Sequence, residues 1–89
     1  MLALCIFVAM TTRKIVGNNI RAFRKEKNMS QEVLAFSTKL HENYISLVER
    51  GQANISIDAL EKISKVLKIP IYLFLVQHAT DVKVTIISK

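Results

Sequence analysis

Residues 30–51, SQEVLAFSTKLHENYISLVERG, carry two short helical patterns separated by a few residues that turn the chain. The first pattern is chemically quiet. Ser30 offers a hydroxyl to the backbone amides of the turn that follows, Glu32 sits favourably against the helix dipole, and Leu34 and Ala35 form a buried face. Ala35 is small enough to let another helix approach. This predicts a helix from Gln31 to about Thr38. The second pattern is polar: Leu40, Ile45 and Val48 make a narrow apolar stripe, and Glu42, Asn43, Ser46, Leu47 and Arg50 face away from it with little to pack on. A helix is expected from about Glu42 to Arg50, stopped by Gly51.

Upstream, Val16, Ile20 and Phe23 recur at spacings of four and three between Thr12 and Lys27, the pattern of an amphipathic helix with its charges on the other face. Asn28 suits a left-handed cap at its end. Downstream, Ser56 reads as the N-cap of a fourth helix bearing Leu60, Ile63 and Leu67, broken at Pro70. The nearly apolar IYLFLVQ that follows reads as a short, buried fifth helix. In the tail DVKVTIISK, Val82, Val84 and Ile86 alternate with Lys83 and Thr85, which is a strand signal. A lone strand needs a partner, either the apolar LALCIFVA near the start or a copy from a second subunit.

The opening MLALCIFVAM is too short for a bilayer, where about 20 apolar residues are needed. It also lacks the basic start and small-residue cleavage pattern of a signal peptide. Met10 would be a normal start for the domain, which leaves two readings of residues 1–9 open, an upstream extension or part of the native chain. The expected organisation is an apolar N-terminal extension at 1–11, a helical domain at 12–78 and a strand-like tail at 79–89.

At 89 residues, the chain has room for one modest core but not for a core plus an elaborate catalytic cleft. Thirteen Lys and Arg against seven Asp and Glu give a net charge of +6, which favours an anionic partner. Five of those six charges fall within residues 13–27, where Arg13, Lys14, Arg21, Arg24, Lys25 and Lys27 stand against Glu26. Residues 31–50 are slightly acidic. The single cysteine, Cys5, excludes an internal disulfide and a cysteine-rich zinc site, and reads as an apolar packing residue. His41 falls at a helix cap, as a turn residue or phosphate neighbour, and His78 reads as a surface residue. No metal site and no cofactor are expected, and a reducing, cytoplasmic setting fits best. Gly17 and Gly51 are the only glycines, so no phosphate-cradling loop exists; no Ser, His and Asp grouping has a catalytic elbow. The chain does not read as an enzyme.

The ordered combination of Ile20, Arg24, Ser30-Gln31, Leu34-Ala35, Ile45-Ser46, Glu49-Arg50-Gly51 and Leu60 resembles the lambda-repressor-like helix-turn-helix proteins, the Cro and repressor or Xre-type class, over roughly residues 16 to 75. Within that class, NYISLVERGQANIS is most similar to the controller proteins of restriction-modification systems, homodimeric transcription regulators that act on their own promoters. The resemblance implies an all-α, five-helix DNA-binding domain with short β-strands at the two termini. Its partners would be double-stranded DNA and a second copy of the chain, with no membrane.

By that resemblance, Ser30 and Gln31 contact phosphate. Glu42, Asn43, Tyr44, Ser46 and Leu47 face the major groove, with Arg50 nearer to phosphate. Asn43 has the donor and acceptor to pair with adenine, Glu42 accepts from cytosine N4, and Leu47 meets a thymine methyl. Tyr44 either hydrogen-bonds a base or phosphate or packs its ring on the domain. Arg24 and Glu49 match a largely buried ion pair between the first and third helices.

Three departures matter. Glu42 stands where controller proteins have arginine. Lys39 replaces a turn glycine, at a cost of about 1 kcal/mol if the backbone is left-handed there. Gln52 and Ala53 are neutral where relatives are basic. A different class of function remains open: an antitoxin-type interaction protein that neutralises a protein partner and binds DNA secondarily.

Overall fold

The computed structural model describes residues 11–77. Four α-helices follow one another: α1 Thr12–Glu26, α2 Gln31–Thr38, α3 Glu42–Glu49 and α4 Ile57–Leu67. Each begins immediately after a residue whose side chain accepts an otherwise orphaned backbone amide. The Thr11 hydroxyl accepts from Lys14 N–H at 3.2 Å, Ser30 from Val33 at 3.0 Å, His41 Nδ1 from Asn43 at 3.1 Å and Ser56 from Ala59 at 3.0 Å. The helices stop where the backbone turns left-handed: Asn28 (φ 58°), Lys39 (φ 60°), Gly51 (φ 73°) and Lys68 (φ 58°). The α3 helix ends at Glu49, with Arg50 as its cap, one residue short of the boundary expected from the pattern.

The expected fifth helix is instead a 3-10 helix, Ile71–Leu75. Pro70 precedes it without a side-chain cap, and Leu73 and Phe74 are drawn into the core. The carbonyls of Leu73 and Phe74, which a continuing α-helix would use, accept instead from Asn19 Nδ2 on α1. The regular secondary structure among the described residues is thus all helical. The strands expected at the termini, Cys5 and His78 all fall outside the described residues.

Helix α1 packs mainly on α3 and the 3-10 helix, while α2 packs on α3 and α4. Phe23, Phe74, Ile20, Leu34, Ile45, Ile63 and Leu67 are fully buried where these elements meet. The Phe23 and Phe74 rings meet edge to face with centroids 5.5 Å apart, a geometry worth about 0.5–1.5 kcal/mol beyond burial. The stripes read from sequence on α1, α3 and α4 therefore converge on one core, and α3 keeps only its inner face in it.

Candidate nucleic-acid interface

The α3 helix is held from both sides. Ile45 and Val48 anchor it in the core. At its last turn, α1 approaches so closely that a Cβ on Gly17 would lie 2.3 Å from the Val48 carbonyl oxygen and 2.8 Å from that of Glu49. Only glycine allows this contact. The Glu49 carboxylate then gathers three elements: Arg24 of α1 donates through Nε to Oε2 at 2.6 Å and through Nη2 to Oε1 at 3.0 Å, and Gln31 of α2 donates to Oε1 at 3.0 Å. Arg24 Nη1 donates to the Met29 carbonyl at 2.7 Å, in the connection from α1 to α2. The Arg24 and Glu49 side chains are 9% and 2% exposed, so the pair is buried and nearly saturated with partners. Buried charges need this pairing to be tolerated.

The outer face of α3 does no such work. Glu42, Asn43, Leu47 and Arg50 are exposed and Ser46 is half-buried. The cap at His41 uses the backbone amide of Asn43 and leaves its side-chain amide without a hydrogen bond among the described residues. Arg50 leans back along the helix, with Nε 3.4 Å from the Ser46 carbonyl. Tyr44 behaves differently. It packs against the core, and its hydroxyl donates to the Asn54 carbonyl at 3.1 Å while accepting from Ser56 N–H at 3.2 Å. It therefore ties α3 to the loop leading into α4, the packing alternative of the two weighed above.

On α2, Ser30 is exposed at the helix start, whereas the Gln31 amide is turned inward to Glu49. In this geometry the Gln31 side chain serves the protein interior rather than the surface. The first-turn amides of α2 remain beside Ser30, a favourable place for an anion.

The positive charge missing from α3 and from Gln52 and Ala53 is supplied by a different helix. The Lys14 stem lies over Gly51, at the distance of a Cβ contact, and a cleft of about 540 Å³ between them is lined by Thr11, Thr12, Arg13, Lys14 and Gly51. The basic start of α1 therefore sits next to the end of α3. The sequence pattern carried no signal for this proximity, for the close approach at Gly17, for the Tyr44 tether or for the bonds made by Asn19; all join residues far apart in the chain.

A helix-turn-helix family model matches residues 20–74. The chain belongs to the helix-turn-helix family. Its Xre-type character, and its likeness to controller proteins in particular, is borne out by individual relatives. This helix-turn-helix chain is 54% identical over 56 residues to control protein C.BamHI of Bacillus amyloliquefaciens, a match covering 62% of this chain and 69% of C.BamHI. Its fold matches the restriction-modification controller protein C.AhdI from Aeromonas hydrophila with a TM-score of 0.67 and 36% identity, over 72% of this chain and 96% of C.AhdI. It also matches a chain of the biofilm master regulator SinR, solved in complex with DNA, with a TM-score of 0.66 and 39% identity, over 68% of this chain and 98% of the SinR chain in that structure. The family is one of DNA-binding transcriptional regulators and not of enzymes. Among the described residues, no helix is long and apolar enough to cross a membrane.

Proposed function

We propose that the protein is a sequence-specific transcriptional regulator that binds a pseudo-palindromic operator in its own promoter as a homodimer, in the manner of a restriction-modification controller. The observation that carries this reading is the outer face of α3. Four side chains with no hydrogen bond among the described residues, Glu42, Asn43, Ser46 and Leu47, stand on a helix whose last turn is anchored by a buried carboxylate. A major groove about 12 Å wide accepts such a helix with its N-terminal residues at the base edges. Asn43 then pairs with adenine, Glu42 accepts from cytosine N4, Ser46 hydrogen-bonds a base edge, and Leu47 covers a thymine methyl. Ser30 and the first-turn amides of α2 meet phosphate on one flank of the groove. Arg50, Lys14 and Arg13 meet it on the other. Tyr44 acts by holding the loop after α3, and Gln31 by orienting Glu49.

Two copies are needed because one α3 of eight residues reads too few bases for useful specificity. A two-fold dimer with half-sites about 34–36 Å apart repeats the contact on the next turn of DNA. The 3-10 helix supplies a self-association surface: Ile71, Tyr72 and Leu75 are exposed on it, Tyr72 by 55%. Such a regulator works in the cytoplasm, and its switch is its own concentration, through the dimerisation equilibrium. A second reading, the interaction protein with a protein partner, draws on Phe36 of α2, a phenyl ring left 86% exposed.

A gel-shift titration against DNA from upstream of the gene, at two salt concentrations and with unrelated competitor DNA, tests the proposal. Preference for the upstream DNA that survives higher salt is the expected result. Equal, salt-sensitive binding to both DNAs would reduce the interaction to phosphate attraction. Stoichiometric copurification of another protein would then turn attention to the second reading.

A further inference from the structure

Helix α1 touches both ends of the proposed mechanism. At Gly17 and Arg24 it grips α3 through backbone contact and the buried ion pair. Between them, at Asn19, it grips the 3-10 helix: Nδ2 donates to the carbonyls of Phe74 and Val76 at 2.8 Å each and lies 3.4 Å from that of Leu73. These three grips fall within two turns of one helix, too short a span to flex. Asn19 itself is buried, and the carbonyls it engages belong to the segment that exposes Ile71, Tyr72 and Leu75. A side chain without a donor would leave these carbonyls unanswered and the segment free to pivot on Leu73 and Phe74.

We infer that Asn19 is a positioning residue for operator spacing: by locking the Ile71–Leu75 segment to α1, and through α1 to α3, it fixes the separation of the two recognition helices. The inference rests on the homodimer reading above. Its leverage is geometric. With each recognition helix about 17 Å from the dyad, a pivot of about 10° at the interface moves it about 3 Å, close to the 3.4 Å rise of one base pair. A loosened clamp therefore blurs the count of base pairs between half-sites without altering what either α3 reads.

The probe is a duplex enriched by the wild-type protein from a random-sequence pool. It is rebuilt with one base pair inserted or removed between half-sites, and separately with one half-site scrambled. Wild type should prefer its own spacing. In Asn19→Ala and in the near-isosteric Asn19→Leu, neither of which has a side-chain donor, that preference should fall about tenfold, the weight of roughly one hydrogen bond, while affinity for the single half-site stays unchanged. Folded variants that keep the full spacing preference overturn the inference. A wild-type protein with no spacing preference removes the homodimer reading itself, and the inference with it. A parallel measurement needs no variant: hydrogen exchange of the Asn19 side-chain amide should be slow on the duplex of native spacing and faster on the respaced one, because the clamp absorbs the misfit. Equal exchange on the two duplexes overturns the inference as well.

Discussion

Removing the Glu49 carboxylate tests how the recognition helix is held. In Glu49→Ala, Arg24 loses both bonds made through Nε and Nη2, retaining only the Met29 carbonyl, and Gln31 loses its acceptor. The guanidinium stays in a site where its side chain is 9% exposed. Leaving one member of a buried pair uncompensated costs about 3–5 kcal/mol, against a total stability of about 5–15 kcal/mol for a natural domain. Arg24→Ala should cost a similar amount, because it strands a carboxylate that is 2% exposed with Gln31 as its remaining donor. The double replacement Arg24→Met with Glu49→Leu removes both charges and fills the volume, so its loss should fall well below the sum of the single losses. Urea unfolding followed by circular dichroism gives all three values at once. Single losses below about 1 kcal/mol, or a double variant that is simply additive, would refute the claim that the pair acts as one buried unit.

Further outcomes are expected for substitutions on and around α3. Gly17→Ala places a methyl against the Val48 and Glu49 carbonyls, and the overpacking should cost about 1–3 kcal/mol in urea unfolding, with DNA affinity falling beyond what the unfolded fraction explains. Lys39→Gly relieves a left-handed backbone at φ 60° and should raise unfolding free energy by about 1 kcal/mol, with gel-shift affinity unchanged. Tyr44→Phe removes the hydroxyl that bridges Asn54 and Ser56, for a loss of about 1 kcal/mol by the same unfolding assay and a rise in amide exchange over residues 52–56. Asn43→Ala should relax selectivity at one base position at a cost of about 1–3 kcal/mol, whereas Arg50→Ala should weaken all sequences alike and lower the salt slope by about one, both read from binding isotherms at several salt concentrations.

Most of the helix boundaries were legible because they are set locally. A hydroxyl at Ser30 or Ser56 and a left-handed residue at Asn28 or Gly51 act within one turn of their own position. The outer face of α3 was legible for the same reason, since a three-to-four residue period states which side is apolar. The Arg24 and Glu49 pair was reachable only by resemblance, because no local pattern joins α1 to α3. Asn19 gave no signal at all: a polar residue next to Ile20 reads as solvated, and its acceptors lie at the far end of the domain. Gly17 reads as a weak point in a helix until the α3 backbone is set beside it. The segment after Pro70 misled differently, since an uninterrupted apolar run has no period with which to distinguish a 3-10 from an α-helix.

The division of labour on α3 bears on how such a regulator acquires a new target. Its start is set by His41, its seat by Ile45, Val48 and Glu49, and its attachment to the next loop by Tyr44. Glu42, Asn43, Ser46 and Leu47 take little part in these tasks, and at the exposed positions among them, Glu42, Asn43 and Leu47, substitutions usually shift stability by no more than about 0.5 kcal/mol. On the proposed reading, replacing these side chains would change which bases are met while the helix keeps its seat. On that reading, a change of operator calls for replacements on this outer face alone, while Gly17, Arg24 and Glu49 are the parts that have to stay as they are.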